Sequence, residues 1–158
     1  MRSLRPVSTM VLVGMWLGGL SACSPAVLMT TPVSKRADGW AVTLGQVKEG
    51  PDEYIGEGGV RVDCQADEKL VWTLLSVKNE GSEEETFSYD ACTLEGTGVA
   101  QKPQVVDRHA EVNEAADRSE AIAPGQERTR QLIYSFPKDL RPTRMKCGKL
   151  VLPVQAAR

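Results

Sequence analysis

One histidine, His109, serves the whole chain of 158 residues. It is the only imidazole available as a base, and it sits in a polar segment, Asp107 to Ala121, where a surface role is expected. No Gly-x-Ser-x-Gly turn is present to present a nucleophilic serine. No CxxC pair occurs either. A zinc centre would have to gather Cys64, Cys92, Cys147 and His109 from distant places, so no metal site is expected. Gly56-x-Gly58-Gly59 is not followed by the Lys-Ser/Thr of a phosphate cradle. Glu83-Glu84-Glu85 follows a turn and reads as solvated, not as the buried acid pair that glycoside hydrolysis requires. Asp52, Glu53 and Glu57 read as a plain acidic loop rather than a calcium loop. Neither an enzyme nor a cofactor is expected. Aromatic residues make up only 5% of the chain, so the core must be built mainly from Val, Leu, Ile and Ala.

What is present is an ordinary globular composition, 41% apolar and 25% charged, with a length that suits one domain. The formal charge is −2, and it falls to −4 without the first 22 residues, which exerts no general pull on nucleic acid. Charge is unevenly distributed. Between Glu49 and Glu95 there are 13 acidic and 3 basic residues, and between Arg128 and Arg158 there are 8 basic and 1 acidic. Such runs either form solvated faces that attract one another or leave a basic patch for anionic lipid or an acidic partner.

The N-terminus reads as an address. Arg2 and Arg5 precede the apolar stretch Met10 to Leu17, and small residues follow, in the layout of a secretory signal. Leu20-Ser21-Ala22-Cys23 resembles the lipobox of bacterial lipoproteins. The resemblance implies cleavage between Ala22 and Cys23 and a diacylglycerol thioether on Cys23. Two or three acyl chains, at about 0.8 kcal/mol per buried methylene, hold a protein stably on a membrane. The residue after the cysteine is Ser24 rather than the Asp that retains such proteins at the inner membrane, which leans toward the outer membrane in a Gram-negative source.

Residues 23–38, with two prolines and no sustained period, read as the lipidated cysteine and a flexible tether. Residues 39–158 read as all-β. Trp40 to Leu44 and Val60 to Cys64 alternate, and Leu70 to Val77 is rich in branched residues and ends in the turn signal Lys78-Asn79-Glu80-Gly81. Thr86 to Leu94 forms a further run with Phe87 and Tyr89 on one face, and Gln104 to Val106 a short one. Arg128 to Phe136 places Leu132, Tyr134 and Phe136 on one side, and Lys149 to Val154 closes the chain. Asp107 to Ala121, rich in Ala and Glu, reads as a short helix or a long crossover loop. Short strands separated by turns predict an antiparallel, immunoglobulin-like sandwich of two sheets.

The order of these features resembles the telokin-like, immunoglobulin-fold extracellular domain of bacterial lipoproteins. The likeness rests on Leu70 to Gly81, Thr86 to Leu94, Pro124-Gly125, Leu132 to Pro137 and Leu150 to Leu152. The middle departs from it, with Glu95-Gly96-Thr97-Gly98-Val99 lacking the family's Tyr. The family carries no catalytic site to transfer. An exported domain with Cys64, Cys92 and Cys147 is expected to hold one disulfide and one spare thiol, and three pairings are open. Cys64–Cys92 is favoured if the entry to the Leu70 strand and the end of the Phe87 strand lie at the same end, with Cys92–Cys147 next. Two functions fit: a lipid-anchored, non-catalytic module that binds an envelope protein, and an enzyme inhibitor or ligand-binding domain that presents residues 107–121.

Overall fold

The computed structural model describes residues 26–155. Among them run fourteen strands and two short 3-10 turns, and no α-helix. The strands are β1 (Val27–Met29), β2 (Val33–Ala37), β3 (Trp40–Glu49), β4 (Glu53–Ile55), β5 (Arg61–Asp63), β6 (Glu68–Asn79) and β7 (Glu85–Ser88). After these come β8 (Cys92–Gly96), β9 (Val99–Gln101), β10 (Val105–Asp107), β11 (Ser119–Ile122), β12 (Glu127–Pro137), β13 (Arg144–Cys147) and β14 (Leu150–Pro153).

The most apolar stretch, β6, becomes the centre of the main sheet, whose order is β1-β3-β6-β12-β10 with β2 also on β3. β12 pairs antiparallel with β6 along its whole length, from Glu127 opposite Lys78 to Pro137 opposite Glu68. Strand alternation then sorts the side chains. Val71, Leu75 and Val77 of β6 and Leu132, Tyr134 and Phe136 of β12 point into one core, while Leu70, Trp72 and Ile133 point to the opposite face. The second layer is a four-stranded sheet, β14-β13-β8-β9, beside the two-stranded β11-β7. Its Leu94, Met145, Leu150 and Leu152 close the main core. Inside that core the Tyr134 hydroxyl donates to the Cys92 carbonyl at 2.9 Å, which ties the layers and satisfies a buried polar group. The all-β antiparallel sandwich expected from the sequence is the fold.

Asn79 ends β6 fully buried, and every amide atom is used. Its Nδ2 donates to the carbonyls of Glu83 (2.7 Å) and Ile122 (2.8 Å), and its Oδ1 accepts from the Gly81 N–H (2.8 Å). One side chain thus fixes the turn after β6 and the end of β11.

Two sequence expectations are corrected. The tether was expected to run through Asp38, yet β1 and β2 pair with β3 as part of the main sheet. The cause is local: Asp38 (φ 52°) and Gly39 (φ 77°) form a two-residue turn between Ala37 and its partner Trp40, the geometry that Asp-Gly favours in a hairpin. Residues 107–121 contain no helix. Asp107 instead accepts the His109 N–H at 2.7 Å, with His109 at φ 57°. The chain turns back so that Arg108 N–H reaches the Glu114 carbonyl and Ala116 N–H the Val106 carbonyl, and it then leaves as β11 to pair with β7. The crossover-loop alternative describes residues 108–118, and an Asx-type turn outcompetes the helix that Ala and Glu would favour.

That loop and the β4–β5 hairpin form a third, thin layer on the outer face of the main sheet. Tyr54 and Val62 of the hairpin and Ala115 of the loop cover Leu70, Trp72, Val105 and Ile133. The Tyr54 hydroxyl donates to Asp107 Oδ2 at 2.6 Å in a buried position. Burial first, and then the Asp107 carboxylate, push the Tyr54 hydroxyl well above its ordinary pKa. Asn113 holds the loop to the hairpin, with Nδ2 donating to the Ile55 carbonyl at 3.0 Å and its own carbonyl accepting the Glu57 N–H at 2.7 Å.

Candidate binding groove

The long strands give the sandwich two ends. One, the entry end, gathers Ala26, the β3–β4 connection and the 138–142 loop. Glu49 N–H donates to the Ala26 carbonyl at 2.8 Å, and Leu28, Arg141, Pro142 and Val154 line one small recess. The other end gathers the Asp38-Gly39 turn, the turn after β6, and the β13–β14 turn, where Gly148 takes φ 57°.

At this second end a groove of about 190 Å³ lies between the tips of the two layers. Trp40 and Phe87 form its apolar wall, with ring centroids 5.2 Å apart in an edge-on arrangement, and Tyr89 continues the stack 5.3 Å beyond Phe87. Thr86 and Ser88 of β7 border it, and Asp38 and Lys149 face each other at 3.0 Å. Both of these side chains are exposed, so the ion pair adds little stability and can open. Beneath the aromatic stack the Tyr89 hydroxyl donates to Glu120 at 3.2 Å, and Glu120 also accepts from Arg128 (3.0 Å) and Arg130 (2.7 Å). Burial raises the Tyr89 pKa above its ordinary value, reinforced by the Glu120 charge and opposed by Arg130.

The groove lies over the disulfide, which joins Cys92 to Cys147. The expected Cys64–Cys92 pairing is therefore corrected. Cys92 of β8 and Cys147 of β13 are direct cross-strand partners. Cys64 lies on the other side of the main sheet, near the entry end, packed against the outer cluster. Its half-buried thiol donates to the Asp52 carbonyl at 3.0 Å, and burial raises its pKa, which reduces its reactivity. The expectation of one disulfide and one free thiol holds.

His109 lies in the outer loop, across the main sheet from the groove, so Thr86 and Ser88 have no imidazole beside them. Glu53 is paired with Arg61 at 3.0 Å, and Asp52 meets Cys64 through its carbonyl. Four residues of the basic C-terminal segment meet acidic partners: Arg128 and Arg130 meet Glu120, Arg144 meets Glu95, and Lys149 meets Asp38. Ala22 and Cys23 lie outside the described residues. Sequence reasoning missed Trp40 and Phe87 as a shared wall; the available signal was a Trp directly after an Asp-Gly turn.

No protein-family model matches the chain, and no curated protein matches it. In structure it is similar to a functionally unknown protein from Listeria monocytogenes EGD-e, with a TM-score of 0.54 and 10% identity over 85% of this chain and 88% of that one. An uncharacterized β-sandwich protein from Clostridium difficile 630 aligns with a TM-score of 0.46 and 10% identity over 76% of this chain and 83% of that one. At such identity the likeness to the Listeria protein speaks to fold alone. The class is that of small antiparallel β-sandwich domains.

Proposed function

We propose that this protein is a lipid-anchored lipoprotein of the bacterial cell envelope, cut between Ala22 and Cys23. Its immunoglobulin-like, telokin-like sandwich binds another envelope protein without catalysis. The observation that carries the binding half is the groove beside Trp40 and Phe87. At about 190 Å³ it falls below the roughly 300–1,000 Å³ of pockets that enclose a whole small ligand, and it suits one apolar side chain presented by a partner. Exposed Glu83, Glu84 and Glu85 lead directly into β7 and favour basic residues beside that side chain.

A photo-crosslinking amino acid at Thr86 tests this in cells. The expected result is one discrete adduct that Trp40→Ala abolishes while the Cys92–Cys147 disulfide still forms. An adduct indifferent to Trp40→Ala removes the groove from the reading. Intact mass of the membrane-extracted protein tests the anchor, with a chain starting at Cys23 and carrying acyl mass as the expected result. A second contact surface, the outer loop of the inhibitor reading, is favoured by the exposure of Val112 (62%) beside the Ile55-bearing hairpin. Val112→Ser would abolish inhibition of a target and leave the Thr86 adduct intact.

A further inference from the structure

The lipoprotein reading acquires a geometry once the start of the fold is located, and the following rests on that reading. Only Ser24 and Pro25 stand between Cys23 and Ala26, whose carbonyl already accepts the Glu49 N–H. Three residue steps span at most about 11 Å even when fully extended. The headgroup zone of one leaflet is roughly 5–8 Å thick. With Cys23 at the glycerol backbones, the entry end of the sandwich must therefore touch or nearly touch the headgroups, with no room for a free tether.

We infer that the domain stands on the bilayer by its entry end, the Lys138–Pro142 loop toward the headgroups, with the Trp40–Phe87 groove turned away from the membrane. β3 starts at the groove with Trp40 and ends beside Ala26 with Glu49, and its ten residues at about 3.3 Å each hold the groove roughly 30 Å above the contact. Charge does not distinguish the two ends. Lys138 and Arg141 are exposed at the entry end with no ion pair among the described residues, beside Asp67, Glu68 and Asp139. The groove end mixes exposed Glu83, Glu84 and Glu85 with exposed Arg36, Lys78 and Lys149. Because the entry end carries no net positive charge, the short connection rather than electrostatic attraction holds it down, and the pose persists at high salt.

The test uses the full lipidated protein, extracted from membranes and reconstituted in vesicles of phosphatidylethanolamine and phosphatidylglycerol (3:1) with headgroup-spin-labelled lipid. A fluorescent amino acid is placed at Lys138 or at Glu84. Quenching several-fold stronger at 138 than at 84, unchanged by 0.5 M salt (about a 4 Å screening length), is expected. A fifteen-residue Gly-Ser insert between Ser24 and Pro25 is expected to bring the two signals together. Equal or reversed quenching on a protein whose mass shows acyl chains overturns the orientation and leaves the anchor standing. A mature chain without acyl mass overturns the anchor and the orientation with it.

Discussion

The two faces of the main sheet are covered by different means. On the inner face, twenty buried residues from both layers form one core, spanned by the Tyr134 hydrogen bond and bordered within the second sheet by the Cys92–Cys147 bond. On the outer face, four buried residues of the main sheet, Leu70, Trp72, Val105 and Ile133, sit under Tyr54 of the hairpin and the loop. There one buried side-chain hydrogen bond, Tyr54 to Asp107, the Asn113 contacts with the hairpin and the packing of Trp72 hold the cover. Extended apolar burial makes a core that tolerates small losses, whereas a thin cover depends on individual contacts. The outer layer is therefore the part expected to open first.

The largest effect is expected from removing the bond that joins β8 to β13 beside the inner core. Cys92→Ala with Cys147→Ala frees a closed loop of 55 residues, worth about 4 kcal/mol in the chain-entropy account. Urea unfolding, with and without reductant, would show it; an unchanged midpoint would mean the packed core alone suffices. The outer layer has its own weak point at Gly50, where an added Cβ would lie 2.0 Å from Trp72 Nε1. Gly50→Ala is expected to cost about 2–3 kcal/mol and to shift Trp72 fluorescence in a Trp40→Phe background. A milder cut, Tyr54→Phe, leaves Asp107 without its buried donor and is expected to cost about 1–2 kcal/mol. Hydrogen exchange should then accelerate in residues 53–63 and 108–116 while β6 and β12 stay protected. Uniform acceleration would erase the distinction between the two sides.

The smallest effect is expected at the rim. The hydrogen bond from Arg144, 2.5 Å long, lowers the Glu95 pKa, against a smaller opposing effect of burial. A carboxylate with a depressed folded pKa stabilises the fold above its unfolded value, and this contribution is lost as pH falls through the folded value. Arg144→Gln should thus lower the urea midpoint slightly at pH 7 and leave it unchanged at pH 2.

Much of the frame could be read from residue alternation alone. β6, β12 and β14 are legible because each carries successive apolar side chains on one face, such as Leu132, Tyr134 and Phe136. β2 was not, because only Val33 and Ala37 of Val-Ser-Lys-Arg-Ala face the sheet's interior, which reads as polar linker. The Asp38-Gly39 turn signal was present, but the expected domain boundary fell between its two residues. The Cys64–Cys92 pairing rests on both residues lying at the same end of the sandwich; the fold puts the main sheet between them. Beyond the Trp after the Asp-Gly turn, the groove left no mark in the sequence, since its wall and rim come from the Asp38, Phe87 and Gly148 regions, which meet only after the layers pack.

β1 and β2 share one side of β3, separated by Thr30-Thr31-Pro32. A long open edge invites copies to zip together strand to strand. Here that border is cut into pieces of three and five residues, with a proline at the break and Lys35 and Arg36 on the longer piece. A second copy would find no continuous row of free amides along that border to extend.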